Sequence, residues 1–215
     1  MSGGQFGPNQ CVPPHDGEMK NQSITFFDTQ FQKQVASNDF ALNPFETAAL
    51  PFVRGRVLDL GCGMGNLSIE AARHGANVLA VDASSAAIKR IQETASAENL
   101  AIDAVLADIG NYKIVRQFDT IVAIGLLMFF KREKALALLA EIQEHVAGQG
   151  LAIINVLTEG TTFMGMFDPG NYYLFGKSEF VDRFKGWNIL HSIPDSFDAP
   201  GNTRKEFSTV IAQKK

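Results

Sequence analysis

The chain has 215 residues, of which 46% are hydrophobic and 20% are charged, a composition typical of one globular domain rather than of a disordered or fibrous protein. Its 19 basic and 23 acidic side chains give a net charge of −4, which argues against nucleic acid as a partner. The longest apolar stretch, 121–130, is about half of the ~20 residues that span a bilayer, and no apolar leader opens the chain. We therefore expect a cytoplasmic protein that does not bind membranes.

The first quarter of the chain divides where its composition changes. Residues 1–23 hold four Gly and three Pro and almost nothing apolar to bury, which predicts a flexible tail. Residues 24–53 mix aromatic and polar side chains and contain Pro44 and Pro51, which predicts one or two short helices that form an N-terminal cap. The domain that carries the core is predicted to span 54–215.

Strands and helices alternate through this domain. The predicted strands span 56–60, 77–82, 102–107, 118–124, 151–157, 187–193 and 207–212. The predicted helices span 66–74, 84–98, 131–146 and 178–184, with Gly75 and Gly148 as the stops of the first and third. Alternation of this kind predicts an α/β fold whose mostly parallel sheet has helices on both faces. Ligands of such folds bind beyond the carboxyl ends of the strands.

Three polar signals follow the first three predicted strands. Three glycines at alternate positions in the run from Asp59 to Asn66 let the backbone approach a ligand closely. Asp82 follows Gly61 at about the 20-residue distance from which a carboxylate meets ribose hydroxyls. Asp108, with Ile109 beside it, could accept from the exocyclic amine of adenine. If no ligand binds, the glycines would form a tight turn, Asp82 would be a helix cap and Asp108 would be a turn residue in a loop.

The kind of nucleotide follows from what surrounds the glycines. A dinucleotide site has the pattern G-x-G-x-x-G, but Asn66 stands where the last Gly belongs, which disfavours an NAD-dependent oxidoreductase. An acidic Asp59 suits an ammonium group better than a pyrophosphate. S-adenosylmethionine carries an amino acid, a ribose and an adenine without phosphate, and we predict it as the cofactor. The two cysteines, Cys11 and Cys62, have no partner spaced for zinc, so no metal is predicted.

Four segments together resemble the class I S-adenosylmethionine-dependent methyltransferases: DLGCGMGN at 59–66, VLAVDAS at 78–84, LADI at 106–109 and FDTIVAIGLLMFF at 118–130. FFDTQF at 26–31 and YLFGKSEFVDRFKGW at 173–187 are similar to the tellurite-resistance methyltransferase group. The resemblance implies a Rossmann-like, seven-stranded, mostly parallel sheet in which strand seven is antiparallel. It also makes 54–215 a class I methyltransferase domain.

The same resemblance implies a set of cofactor-binding residues. Asp59, Gly61 and Gly63 would hold the methionine end, Asp82 the ribose, and Asp108 with Ile109 the adenine. Ala123 and Gly125 would lie near the sulfonium. The full predicted set is Asp59, Gly61, Cys62, Gly63, Asn66, Asp82, Ala83, Asp108, Ile109, Ala123 and Gly125.

The methyl acceptor is predicted to be a small molecule in an apolar pocket, because 126–130 offers no polar catalytic group. The main candidates for its walls are Phe27, Met128, Phe129, Tyr172 and Tyr173. Further candidates are Phe26, Phe31, Met164, Met166 and Phe167. A site without a base suits acceptors that enter as anions, such as thiolates or chalcogen oxyanions. The alternatives are that these aromatics are core, and that the protein is a non-catalytic S-adenosylmethionine-binding regulatory module.

Overall fold

The computed structural model describes residues 22–215. The predicted tail at 1–23 therefore lies outside the described residues except for Gln22 and Ser23, which open the first helix. The helices are α1 (Gln22–Ser37), α2 (Pro44–Ala49), α3 (Asn66–Arg73), α4 (Ser85–Glu98), α5 (Arg132–His145) and α6 (Lys177–Asp182). The strands are β1 (Arg56–Leu60), β2 (Asn77–Asp82), β3 (Ile102–Leu106), β4 (Phe118–Ile124), β5 (Val146–Leu157), β6 (Asn188–Ala199) and β7 (Thr203–Gln213). Short 3₁₀ turns span Leu50–Phe52 and Leu127–Phe129.

The seven strands form one sheet in the order β3-β2-β1-β4-β5-β7-β6. The pairs of β1 with β2 and β4, of β2 with β3, and of β4 with β5 are parallel. Among the strands of residues 22–215, β7 alone runs against its neighbours, pairing antiparallel with both β5 and β6. This confirms the predicted Rossmann-like fold. The strand order reverses between β1 and β4, which places a crevice at the carboxyl ends of these two strands.

Two apolar clusters cover the two faces of the sheet. One packs α5 and α6 against it, with Phe118, Phe175, Phe180 and Phe184 among its buried rings. The other packs α3, α4 and the segment around α2 against the opposite face. Within α4 the buried side chains are those that share one face of the helix in the sequence, namely Ala87, Ile88, Ile91 and Ala95. No helix within 22–215 is both long enough and apolar enough to cross a membrane.

Two regions differ from the sequence prediction by more than two residues. Gly148 was expected to stop the helix at 131–146, but α5 ends at His145 and β5 begins at once, so that Gly148 lies inside the strand. The loop expected between 193 and 207 is instead a continuation of β6 and β7, which pair from Asn188 to Ala199. Pro194 is tolerated because β6 is an edge strand, where a missing N–H need not break a ladder.

Candidate active site

A cavity of about 460 Å³ opens at the carboxyl ends of β1, β2 and β4, beneath α1. Its volume is in the range of small-molecule sites. The predicted residues that line it are Asp59, Gly61, Cys62, Gly63, Asn66, Asp82, Ala83, Asp108, Ile109, Gly125, Phe27, Phe31 and Phe129. The three strand-end signals found in the sequence thus meet in one cavity.

The glycine loop after β1 forms the floor of the cavity. Its peptide N–H groups at Gly61 and Cys62 donate to the Val81 carbonyl at 2.8 and 3.2 Å, which fastens the loop to β2. Gly61 and Gly63 have φ values of 68° and 52°, a left-handed conformation that side chains disfavour. A Cβ on Gly61 would also approach Leu126 to 3.0 Å. The loop therefore requires glycine for its backbone and for its closeness to the β4 end.

Asp82 joins the loop to the end of β2. Its Oδ2 accepts from the Gly63 N–H at 2.9 Å and its Oδ1 from the Ser84 N–H at 2.8 Å. Burial raises the pKa of this carboxyl, although the two amides act in the opposite direction. A carboxylate oxygen has a second lone pair, so Asp82 can fasten the loop and still accept from ligand hydroxyls.

Asp59 is a buried carboxyl in the cavity wall, at 5% exposure. Its Oδ2 accepts from the Ser68 hydroxyl at 2.6 Å. Burial raises the pKa of Asp59 to about 7, and the neighbouring carboxylates of Glu46 and Asp82 add to that rise. The pKa of the buried Cys62 thiol is also raised by burial. Cys62 is therefore a neutral packing residue rather than a nucleophile.

Asp108 and Asn66 are two further polar residues that line the cavity. Asp108 accepts from the Gly110 N–H at 2.8 Å and from the Asn111 side-chain amide at 2.7 Å, so it shapes the turn after β3. Asn66 opens α3 and donates from its Nδ2 to the Ala41 carbonyl at 3.4 Å. Among the residues that the structure describes, nothing donates to the buried Oδ1 of Asn66. A buried acceptor without a partner at a cavity wall fits a ligand donor.

Aromatic rings from α1 and from the 3₁₀ turn after β4 cover the cavity. The Phe27 ring meets the Phe129 ring edge to face at 5.1 Å between centroids. Phe31 lies over the glycine loop, so that a Cβ on Gly63 would approach its ring to 3.4 Å. The Ser84 hydroxyl donates to Asp28 of α1 at 3.2 Å and ties the helix to the β2 end.

Eight of the predicted site residues do not line the cavity: Ala123, Met128, Tyr172 and Tyr173, and the further wall candidates Phe26, Met164, Met166 and Phe167. Ala123 is fully buried in the core because the strand points its side chain to the α5 face. Met128 is buried behind Phe129, with Met166 and Phe167. Tyr172 stacks on Phe167 outside the cavity at 4.9 Å. Tyr173 is drawn away by the hydrogen bond from its hydroxyl to Glu179 at 2.5 Å.

The cavity also contains residues that the sequence analysis missed. Glu46 of α2 and Asp28 of α1 line it, as does Ile124 at the end of β4. In the sequence, the pattern Asn43-x-x-Glu46 signals only a capping box, and the structure contains that box. The helix cap explains why Glu46 is present, but the pattern does not show that α2 turns this side chain into a cavity.

Solved structures of similar shape identify the class to which this fold and cavity belong. The structure of TehB from Haemophilus influenzae superimposes with a TM-score of 0.71 at 26% identity, over 85% of this chain and 65% of that one. The N-methyltransferase NodS from Bradyrhizobium japonicum, solved with S-adenosyl-l-homocysteine, gives a TM-score of 0.65 at 15% identity, over 87% and 98%. The chain thus has the Rossmann-like fold found in class I methyltransferases.

The family follows from the sequence of the whole domain. A family model described as tellurite resistance protein TehB matches residues 29–199, and the chain belongs to this family. A probable S-adenosyl-L-methionine-dependent methyltransferase TehB of H. influenzae strain 10810 is 31% identical over 168 residues. That alignment covers 74% of this chain and 57% of the relative, so the chain spans little more than half the length of this curated relative.

Proposed function

We propose that this protein is an S-adenosylmethionine-dependent methyltransferase that acts on a small molecule. The proposal rests on one observation. The glycine loop, Asp82 and Asp108 line the same cavity of about 460 Å³, which lies where the strand order of the sheet reverses. Membership of a family that includes methyltransferases supports the same function.

The cavity residues fit this cofactor from one end to the other. Asp82 has free lone pairs for the ribose hydroxyls, and Asp108 with Ile109 forms the end where the adenine would lie. The glycine loop leaves room for the methionine portion, since a Cβ at Gly61 or Gly63 would fill that space. The unpartnered Oδ1 of Asn66 is an acceptor for a ligand N–H. Gly125 lines the cavity at the β4 end, where the sulfonium would lie.

The cofactor supplies a methyl group on a sulfonium, which is already an activated leaving group. The protein then has to align the acceptor and exclude water. Phe27, Phe129 and Phe130 form an aromatic wall beside Gly125, and α1 covers the opening. These residues support transfer inside an enclosed apolar space.

The enclosure favours a small acceptor over a macromolecule. Phe27 and Phe31 of α1 line the cavity and narrow it, which favours a small ligand, and the net charge of −4 gives no attraction to nucleic acid. Thiols and chalcogen oxyanions are acceptors of the right size, and the family description refers to tellurite resistance.

Two measurements test the proposed function. Calorimetric titration should show binding of S-adenosylmethionine and S-adenosylhomocysteine but not of NAD, and NAD binding alone would favour an oxidoreductase. Release of S-adenosylhomocysteine should then be followed with thiols, chalcogen oxyanions and small amines. Binding without turnover of any acceptor would favour a regulatory module.

A further inference from the structure

One face of α1 lines the cavity, and a single acidic residue interrupts its apolar pattern. Ile24, Phe27 and Phe31 line the cavity and recur at the spacing of three and four residues that places side chains on one side of a helix. Asp28 lies on the same face and also lines the cavity. It is the only carboxylate within Gln22–Ser37, and it lies beyond the first turn, where the helix dipole would favour an acid. The helix itself therefore gives no reason for an acid at this position.

Asp28 contacts the end of β2 through Ser84. The Ser84 hydroxyl donates to Oδ1 of Asp28 at 3.2 Å, and the N–H of the same serine donates to Oδ1 of Asp82 at 2.8 Å. Burial is the main cause of the raised pKa of Asp82, and the charge of Asp28 adds to it. Two carboxylates that share a site repel each other, and hydrogen-bond donors of a ligand relieve that repulsion.

Asp28 also has acceptor capacity that the protein does not use. Within residues 22–215, no group donates to its Oδ2, and its Oδ1 accepts only from Ser84. In Asp82, each oxygen already accepts from a backbone N–H, that of Gly63 or that of Ser84, and keeps one lone pair. No lysine, arginine or histidine of the described chain lines the cavity, so no side-chain cation pairs with Asp28 there. Two neighbouring carboxylates with free lone pairs match two neighbouring hydroxyl donors.

The position of Asp28 on α1 gives such a contact a second effect. Among the described side chains of α1 only Ser23 is buried, so burial contributes little to holding the helix over the cavity. A ligand favours the covered state only through contacts that it makes in that state and not in the other. A ligand hydroxyl bound by Asp28 is a contact of this kind, because Asp28 leaves the cavity when α1 moves aside. Phe27, the neighbour of Asp28, packs against the Phe129 ring, so the same contact also fixes the aromatic wall.

We propose that Asp28 is a second ribose-binding residue, which accepts from one ribose hydroxyl of the cofactor while Asp82 accepts from the other. Bound cofactor thereby holds α1 over the cavity. The wall formed by Phe27 and Phe129 is complete only in the loaded protein, and the methyl acceptor binds after the cofactor. This inference rests on the proposed function and adds a residue of the N-terminal cap to the cofactor-binding set.

The test uses the full chain and the substitution Asp28→Ala. Alanine has the highest helix propensity, so α1 stays helical in the variant. The control is Gln32→Ala, which changes an exposed residue of α1 that does not line the cavity. Calorimetry measures binding of S-adenosylhomocysteine and of its 2′-deoxy and 3′-deoxy analogues, each of which lacks one ribose hydroxyl.

We expect each analogue to bind the native protein about tenfold more weakly than S-adenosylhomocysteine does, because a hydrogen bond to a carboxylate is lost. Asp28→Ala should weaken binding of S-adenosylhomocysteine by about the same factor. One analogue should bind the native protein and Asp28→Ala equally, within about threefold, since it lacks the hydroxyl that Asp28 accepts from. Gln32→Ala should match the native protein with all three ligands.

Trypsin cleavage at Lys33, the only lysine or arginine within Gln22–Ser37, measures how far bound ligand holds the helix in place. Each variant is compared without ligand and with S-adenosylhomocysteine at a saturating concentration. Bound ligand should slow cleavage about tenfold in the native protein and in Gln32→Ala. In Asp28→Ala the slowing should be less than about threefold.

Three results would overturn the inference. Native affinity of Asp28→Ala for S-adenosylhomocysteine would exclude the contact. An equal loss of affinity for all three ligands would show that Asp28 acts through the packing of α1 or on another part of the cofactor. Equal protection of Lys33 in Asp28→Ala and in the native protein would separate the position of α1 from cofactor binding. Failure of the native protein to bind S-adenosylhomocysteine would instead refute the proposed function.

Discussion

Asp82 combines two tasks in one carboxylate, and this makes it the most informative residue to change. It accepts from Gly63 and Ser84 and so holds the glycine loop against the β2 end. It also faces the cavity, where we propose that it binds the ribose. Its loss would leave backbone and ligand donors unpaired at the same time.

We expect Asp82→Ala to weaken binding of S-adenosylhomocysteine at least about tenfold, since each unpaired buried group costs roughly 1–3 kcal/mol. Calorimetric titration measures the change. Asp103→Ala, at an exposed position of β3, is the matched control and should bind as the native protein does. A folded Asp82→Ala variant with native affinity would exclude this residue from the site.

Asp59 makes the stability of the ligand-free protein depend on pH. Burial raises its pKa from the ordinary value of 3.8 to about 7, so the folded state binds its proton more tightly than the unfolded state does. The free energy of unfolding should therefore fall as the pH rises from about 4 to about 7 and level off above. The raised pKa values of Glu46 and Asp82 act in the same direction.

We expect Asp59→Asn to remove most of this dependence, because asparagine cannot ionise and can still accept from Ser68. At pH 8 the variant should be more stable than the native protein by about 2–4 kcal/mol, and at pH 4 the two should be alike. Urea unfolding at a series of pH values measures this. Parallel stability curves for the two proteins would mean that Asp59 is ionised in the folded state at pH 8 without cost.

At the scale of elements, the central strands and their helices were predictable because each shows its own local pattern of apolar residues, either a short apolar run or a helical spacing. Strand β2 ends at Asp82 as predicted, and α4 begins after Ser84, whose hydroxyl accepts from the Ala87 N–H at 3.4 Å. The extent of β6 and β7 was not predictable, since Pro194 and Gly201 resemble loop residues until the edge position of β6 is known. Glu46 was missed for a similar reason, because its capping pattern is local and its cavity contact is not.

The division into cap and core predicts different results for two shortened chains. A chain of residues 22–215 retains α1 and should bind S-adenosylhomocysteine within about twofold of the native affinity. A chain of residues 40–215 lacks α1, with Phe27, Asp28 and Phe31, and should lose turnover by a factor on the order of a hundred, because the acceptor is no longer enclosed. Full turnover by 40–215 would show that α1 is not part of the active site.

At the scale of the whole molecule, the cavity lies where several parts of the structure meet. Leu126 and Ile109 at its wall belong to the cluster on the α5 face, or pack against it, while Cys62 and Leu67 belong to the cluster on the opposite face. A ligand bound there contacts both halves of the core and α1. Its binding energy should therefore appear in global unfolding rather than in one local segment.

We expect S-adenosylhomocysteine at 100 times its dissociation constant to raise the free energy of unfolding by about 2.7 kcal/mol. Thermal and urea unfolding should show the increase as one cooperative transition. The Asp82→Ala variant at the same ligand concentration should gain at least about 1 kcal/mol less. A ligand effect restricted to protease protection of α1, with unchanged global unfolding, would contradict this coupling.

The contrast between the glycine loop and α1 has a consequence for the rate of association. Hydrogen bonds to Val81 and Asp82 already hold the loop in place, so ordering it costs little conformational entropy when a ligand binds. In α1, by contrast, only Ser23 is fully buried, and the helix lies across the entrance with Phe31 over Gly63. Segments with so little burial open at low free-energy cost. The rate of association should therefore saturate at high ligand concentration, at the rate with which α1 moves aside.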